Sequence, residues 1–401
     1  MATPKKSPRA RLRARIEAAN TGRDPERLAM KYSKMRADAH TFLRGTAALF
    51  YSQLHLPRAL RAAPLAWICG DLHLENFGAF LGGNRLVYFD INDFDEATLA
   101  PCSWDLLRLL TSLELASDAH RRSAKARREQ RGMFLDSYML ALRSGKALWV
   151  ERRVARGPIR RLLKRAANRS QHDLLAERAQ QVKGGWRLLV NGKRALPLHK
   201  SDRARVRTLS RAALTGSDGA PAMRLVDSAR RIAGTASLGL ERYVVLARLR
   251  SDPNLYRLLD IKAARPPSLP SNPKAPAWSC PAARIVAIQQ LLQAAAPQPL
   301  LAAELANSSF VVRELQPQQD RIAAAALFES DRDLHGFLQD IGAIVAWSHL
   351  RGAARWGAAS VDEMTAFAAR SGWRAALERN SLQAAQTMRV LHRDFCKLKL
   401  P

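Results

Sequence analysis

Three polar side chains near the start of this chain have the types and spacing that phosphoryl transfer demands. In Gly70-Asp71-Leu72-His73-Leu74-Glu75-Asn76 an asparagine follows an aspartate by five residues, and Asp93-Phe94-Asp95-Glu96 begins 17 residues after Asn76. Phosphoryl transfer needs one carboxylate to orient the acceptor hydroxyl and take its proton. It also needs an amide oxygen and a second carboxylate to share the Mg²⁺ of the nucleotide. Asp71 suits the first role, and Asn76 with Asp93 suits the second. Each has a plainer use alone, since Gly-Asp makes turns and Asn caps helices. The three in this order are harder to assign to turns.

A second set lies far downstream. Gly234-Thr235-Ala236-Ser237-Leu238-Gly239 is followed by a strand, a turn and Leu258-Leu259-Asp260-Ile261-Lys262. A glycine-rich hairpin carrying Gly234, Ser237 and Gly239 lets backbone amides approach phosphates. A lysine at the end of the next strand can reach the same phosphates as a compact charge. ATP and Mg²⁺ are the expected cofactors. Asp95 and Glu96 could assist at the metal or orient the acceptor, with His73 as a supporting group inside the loop.

These residues need elements to hold them. Ala66–Cys69 is a short apolar run that ends at the Gly-Asp turn. Phe77–Leu81 and Arg85–Asp90 flank Gly82-Gly83-Asn84, a hairpin signal that returns the chain so that Asn76 and Asp93 lie side by side. Leu106, Leu107, Leu109, Leu110 and Leu113 predict a buried helix starting near Asp105. Later, Arg242–Leu249, Tyr256–Ala263 and Phe310–Leu315 read as strands. Residues 282–295, 333–349 and 361–398 read as helices, and 265–279 as a Pro- and Ser-rich loop.

Composition narrows the function classes. The chain has 401 residues, 47% of them apolar, with 65 Lys+Arg against 35 Asp+Glu and a net charge of +30. No apolar run approaches the ~18 residues of a membrane helix, so membrane insertion is not expected. The first residues lack the apolar core of a secretory signal. Four scattered cysteines without a CxxC pair give no zinc ribbon or disulfide framework, so a cytoplasmic setting is expected. No HExxH joins His40, His73 or His349, and Phe94 breaks an EF-hand pattern begun at Asp90. Charge is uneven: residues 121–215 hold 26 Lys+Arg against 6 Asp+Glu, whereas residues 65–105 hold 7 Asp+Glu against one Arg. An acidic island in a basic chain fits carboxylates that hold a cation or move a proton. The basic stretch is either a solvated helical surface or a polyanion site.

The motifs carry a family resemblance. GDLHLENFG resembles the catalytic loop of aminoglycoside phosphotransferases and related small-molecule kinases, a His-Gly-Asp-x-x-x-x-Asn pattern, with Cys69 standing where that family has His. DFDEATLAPCSWDL is similar to their metal-binding motif and the helix after it. The resemblance implies that Asp105, 12 residues beyond Asp93, buttresses the loop. This spacing favours Asp93 over Asp90 as metal ligand, while Asp90 fits the distance from the loop slightly better. In kinase-like proteins the glycine loop and lysine precede the catalytic loop; here they follow it. The implied fold is α+β, a protein-kinase-like two-lobe fold in circular permutation, which close chain termini permit. The expected parts are a basic tail (1–30), a helical catalytic-loop lobe (31–224), a β-rich nucleotide-binding lobe (225–320) and C-terminal helices completing the helical lobe (321–401). The usual glutamate partner of such a lysine is not evident, and Gln289, Gln290 and Glu304 are the alternatives.

From Phe42-Leu43-Arg44-Gly45 through NDFDEA to GTASLGLERY and DIKAA, about residues 30 to 395 resemble a bacterial family of unknown function, DUF2252. That likeness implies kinase-like ancestry and no substrate. Two other readings remain open: a kinase-like binding or regulatory protein without turnover, and a nucleic-acid-binding protein using 121–215. Against the second, the chain is only 6% aromatic, so stacking platforms are scarce.

Overall fold

The computed structural model describes residues 7–215, 221–234, 236–270 and 272–400. Helices and antiparallel sheets build two parts, α+β in class, that face each other across a cleft.

The described residues open with two capped helices where the sequence suggests a tail. Ser7 caps Pro8–Ala19 and Asp24 caps Pro25–Met35, each with proline in its first turn, where a missing N–H costs nothing. The sequence reading treats 1–30 as a basic tail because it lacks an apolar period. Two residues suffice to dock the first helix: Leu12 and Ile16, one turn apart, are both buried.

The helical part is built around Ser103–Ala119, whose Leu106, Leu107, Leu109, Leu110 and Leu113 are all buried. Each such side chain contributes about 1.5–3 kcal/mol of burial. Trp373–Cys396 lies against this helix, and Ala124–Arg143 runs along Asp331–Arg351. That last pair touches backbone to backbone at Gly342, where a Cβ would come 2.5 Å from the Phe134 carbonyl oxygen. Two small sheets sit on this core. Leu65–Ile68 pairs with Thr98–Pro101, and Phe77–Leu81 pairs with Val87–Ile91 in the register Phe77↔Ile91. Arg85 belongs to the turn, at φ 68°, and not to the strand expected from Arg85–Asp90.

The other part is a six-stranded antiparallel sheet in the order Leu300–Leu305, Ser308–Leu315, Tyr256–Ala264, Arg242–Leu249, Met223–Arg231, Ala195–Leu196. Pro281–Leu292 is the helix between Tyr256–Ala264 and Leu300–Leu305 in the chain. Met223–Arg231 and Leu300–Leu305 escape the sequence reading because one is polar and the other rich in alanine. The helix Lys200–Thr215 covers one face through Val206, Leu209 and Ala213. Leu175 and Leu188 cover part of the opposite face. Residues 171–215 therefore pack with the sheet, so the division expected at 224/225 falls nearer 171. Among the described residues no helix is long and apolar enough to cross a membrane.

Candidate functional site

Strand periodicity explains one wall of the cleft. Alternate residues share a face, so Leu258, Asp260 and Lys262 point one way. Arg242, Val244 and Leu246 join them through the pairs Arg242↔Lys262, Val244↔Asp260 and Leu246↔Leu258. Asp260↔Arg313 adds a third strand. The inner residues of this face are apolar and its end is charged. Asp260 is fully buried and accepts from Arg242 Nε at 2.8 Å and Nη2 at 2.5 Å. Arg231 lies 2.7 Å away and Arg313 3.5 Å away. Burial alone would raise the Asp260 carboxyl, but Arg231 and Arg242 outweigh it and hold it well below the usual carboxylate range. One carboxylate thus aligns three arginines along a cleft of about 440 Å³.

The Asp71–Asn76 loop forms the opposite wall. It turns at Gly70, whose φ of +76° and close approach exclude a side chain: a Cβ would lie 2.1 Å from the Glu96 carbonyl oxygen. Asp105, at the start of the Ser103–Ala119 helix, accepts the backbone N–H groups of Cys69 at 2.8 Å and Gly70 at 2.9 Å. It is thus the anchor of the loop. His349 approaches Asp105 at 3.6 Å, and its other ring nitrogen lies 3.0 Å from the Tyr138 hydroxyl. His73 is buried and its Nδ1 accepts the Glu75 N–H, so it shapes the loop from inside. Burial, followed by Arg44, holds its imidazole well below the ordinary histidine range.

Asn76 is buried, and its amide nitrogen donates to the Asp71 carbonyl at 3.1 Å and to Cys69 Sγ at 3.3 Å. That fixes the amide so that Oδ1 is the atom left for the cleft. Asn92 N donates to Asn76 O at 2.9 Å, so the hairpin brings Asp93 beside Asn76. Asp93 has a 45% exposed side chain, and its Oδ1 lies 3.6 Å from Lys262 Nζ. Burial would raise its carboxyl, but Lys262 pulls the net shift downward. Asp95 is the closer ion-pair partner of Lys262, and burial and Asp93 push its carboxyl up. Glu96 is bonded to the Ser268 N–H, and burial raises it too.

The structure separates Asp90 from Asp93. Asp90 is buried, faces Arg351 at 2.9 Å and accepts from the Ile91 and Ala294 amides. Its carboxylate is committed there, whereas Asp93 opens to the cleft. The alternatives for a lysine partner are also replaced. Glu304 is exposed on the edge strand, Gln290 is exposed, and Gln289 donates to Gln293. Lys262 is held by Asp95 and Asp93 instead.

Asp71 is buried. Its Oδ1 accepts from Arg108 Nε at 2.7 Å and from Arg108 Nη2. Burial pushes its carboxyl up to about 7; Arg108 opposes that and Glu96 adds to it. Arg108 is the residue that sequence reasoning missed. Its signal is an arginine inside Leu106-Leu107-Arg108-Leu109-Leu110, where a charge needs a buried partner.

The glycine-rich loop links Met223–Arg231 to Arg242–Leu249. Gly234 and Gly239 have φ +77° and +84°, and Thr235 lies outside the described residues. Ser237 Oγ donates to the Ala233 carbonyl at 3.1 Å, and Gly234 and Ser237 line the cleft with Lys262, Asn76 and Asp93. Gly239 instead faces the N-terminal segment, where its carbonyl accepts the Asp24 N–H. Among the described residues no group of three or more His, Cys, Asp or Glu side chains is set to hold a metal ion. A Mg²⁺ bound through one carboxylate, one amide oxygen, water and phosphate oxygens needs no such group. Asn76 Oδ1 and the Asp93 carboxylate are hard oxygen donors of that kind.

Comparison with known proteins found no match among curated proteins and none among solved structures. One family model, described as "Uncharacterized protein conserved in bacteria (DUF2252)", matches residues 23–398. The chain, with its paired loop and sheet meeting at one cleft, belongs to that bacterial family.

Proposed function

We propose that this protein is an ATP- and Mg²⁺-dependent phosphotransferase of kinase-like, circularly permuted fold, acting on a hydroxyl-bearing substrate. One observation carries the reading: Lys262, from the later sheet, ion-pairs with Asp93 and Asp95 from the earlier loop, beside Asn76. Topology supports it. In protein kinases a glycine-rich loop covers the phosphates and the lysine lies on the third strand. Here the glycine loop joins Met223–Arg231 to Arg242–Leu249, Lys262 lies on the next strand, and a helix follows.

The nucleotide would lie in the cleft with its phosphates against Lys262 and the glycine-loop amides. Asn76 Oδ1 and Asp93 would hold Mg²⁺, which when bound neutralises charge on the phosphates. Asp71 would orient the acceptor hydroxyl and take its proton, while Arg108 keeps the carboxylate in one orientation and Asp105 holds the loop. Excess arginine in the cleft suits a polyphosphate ligand. The test is phosphoryl release or transfer from ATP: it should require Mg²⁺ and vanish in Asp71→Asn. Mg²⁺-dependent ATP binding without any turnover would favour a silent kinase-like binding protein, a reading encouraged by the lack of a carboxylate from Pro281–Leu292 near Lys262. The nucleic-acid reading is weakened only in part: some arginines of 121–215 are ion-paired within the chain, while others such as Arg152, Arg153 and Arg187 are exposed. Arg127 and Arg131 pair with Glu114, Arg122 with Asp331, and Arg205 with Glu241.

A further inference from the structure

Asp71 faces a second cavity, of about 100 Å³, which meets the cleft at Asp93 and Ser237. Its walls include Arg15, Arg23 and Lys31 from the N-terminal segment and Arg265 from the loop after the sheet. Among the described residues none of these four is ion-paired, in contrast to Arg44 on the same wall, which pairs with Glu75 at 2.5 Å. Lys31 is only 2% exposed, and its Nζ donates to Asn20 Oδ1 at 2.8 Å and to the Ala236 carbonyl at 3.3 Å. One ammonium proton is left over. Arg23 donates to the carbonyls of Ala236 and Leu238, while its buried Nε has no partner among the described residues. Among the described residues the Arg265 side chain bonds the Thr21 carbonyl alone, at 3.1 Å.

Neutral donors would serve to hold the carbonyls of a loop. Cations hydrogen-bonded to carbonyls repel one another, and a buried ammonium with no carboxylate paired to it is costly. Burial and Arg23 indeed hold the Lys31 ammonium well below its ordinary range. Four carboxylates also line this cavity, but Asp71 is paired with Arg108, and Asp93 and Asp95 with Lys262, which leaves Glu96 as the one without an ion pair among the described residues, against four such cations. The excess positive charge lies in the cavity in which Asp71 would meet an acceptor. We infer that the acceptor carries its own negative group, a phosphate or carboxylate on a small hydroxyl compound, bound by Arg23, Lys31 and Arg265 while its hydroxyl meets Asp71. This rests on the phosphotransferase reading. In the transfer the hydroxyl oxygen bonds to the γ-phosphorus and its proton passes to Asp71. The bond from that phosphorus to the β–γ bridging oxygen breaks, and its electron pair leaves with ADP.

Inorganic phosphate is the probe, titrated calorimetrically into the full chain after a non-hydrolysable ATP analogue and Mg²⁺ have filled the cleft. Saturable binding is expected, weakened at least tenfold in Arg265→Gln and in Lys31→Met, and unchanged in Arg178→Gln, since Arg178 lines the cleft and not this cavity. Arg265→Gln serves if Lys31→Met fails to fold. Acetate run in parallel separates a phosphate-selective site from one that also takes carboxylates, and either result supports an anionic acceptor. Binding of neither anion, equal binding in wild type and both cavity variants, or loss in Arg178→Gln alone overturns the inference. The analogue titration is read first. If the analogue does not bind, the phosphotransferase reading fails, and the anion titrations are still read on the nucleotide-free chain.

Discussion

Removing the Asp260 carboxylate should be among the most damaging single changes in the sheet. Asp260 is fully buried and faces Arg242, with a side chain 7% exposed, and Arg231, 13% exposed. Arg313, 22% exposed and 3.5 Å away, can turn to water more readily. Asp260→Ala therefore strands two buried guanidinium groups, and breaking a buried pair in this way costs about 3–5 kcal/mol. Whole domains are stable by about 5–15 kcal/mol, so the variant keeps a fold of reduced stability. The exposed Arg13–Glu17 pair offers the contrast: Arg13→Ala should cost no more than about 0.5 kcal/mol. Urea unfolding at neutral pH measures both. Acid adds a second reading. A carboxyl held well below its usual value contributes stability above the unfolded pKa of about 3.9, and that stability is lost as pH falls through the folded value. The gap between wild type and Asp260→Ala should thus narrow below about pH 4. A loss under about 1 kcal/mol at neutral pH would refute the idea that this carboxylate organises the arginines.

The loop makes its own predictions. Asp105→Ala leaves the Cys69 and Gly70 amides without an acceptor, at about 1–3 kcal/mol each; urea unfolding should show the loss and hydrogen exchange should speed at those two amides. Gly70→Ala should cost at least about 2 kcal/mol, from a left-handed backbone and a collision with the Glu96 carbonyl, and should lower the melting temperature by several degrees. If Asp71 must be ionised to take a proton, its carboxyl near 7 predicts turnover that falls about tenfold per pH unit below that value and levels off above it, read from a pH–rate profile.

The Asp71–Asn76 loop, the returning hairpin and the helix begun near Asp105 are legible in the sequence because their signals are local. A Gly-Asp turn, a Gly-Gly-Asn tip and a leucine period each need only a few neighbours. The strands carrying Arg242 and Lys262 are legible because their buried faces are apolar and β-branched. Long-range facts are harder to read. Leu12 and Ile16 dock a helix that looks like a charged tail, since two apolar residues among arginines give almost no periodic signal. Neither the capture of Asp71 by Arg108 nor the clustering of Arg231, Arg242 and Arg313 on Asp260 follows from spacing. Each depends on side chains from separate elements sharing one buried carboxylate. The choice between Asp90 and Asp93 turns on Arg351, a residue 261 positions from Asp90 that no local pattern links to it.

Calorimetric titration of ATP into the full chain, with and without Mg²⁺, tests the proposed cleft most directly. Saturable binding that needs Mg²⁺ is expected, falling at least tenfold in both Lys262→Met and Asp93→Asn while the variants stay folded. Failure of ATP to bind under either condition, or undiminished affinity in both variants, would contradict a nucleotide site shared by the two halves of the chain.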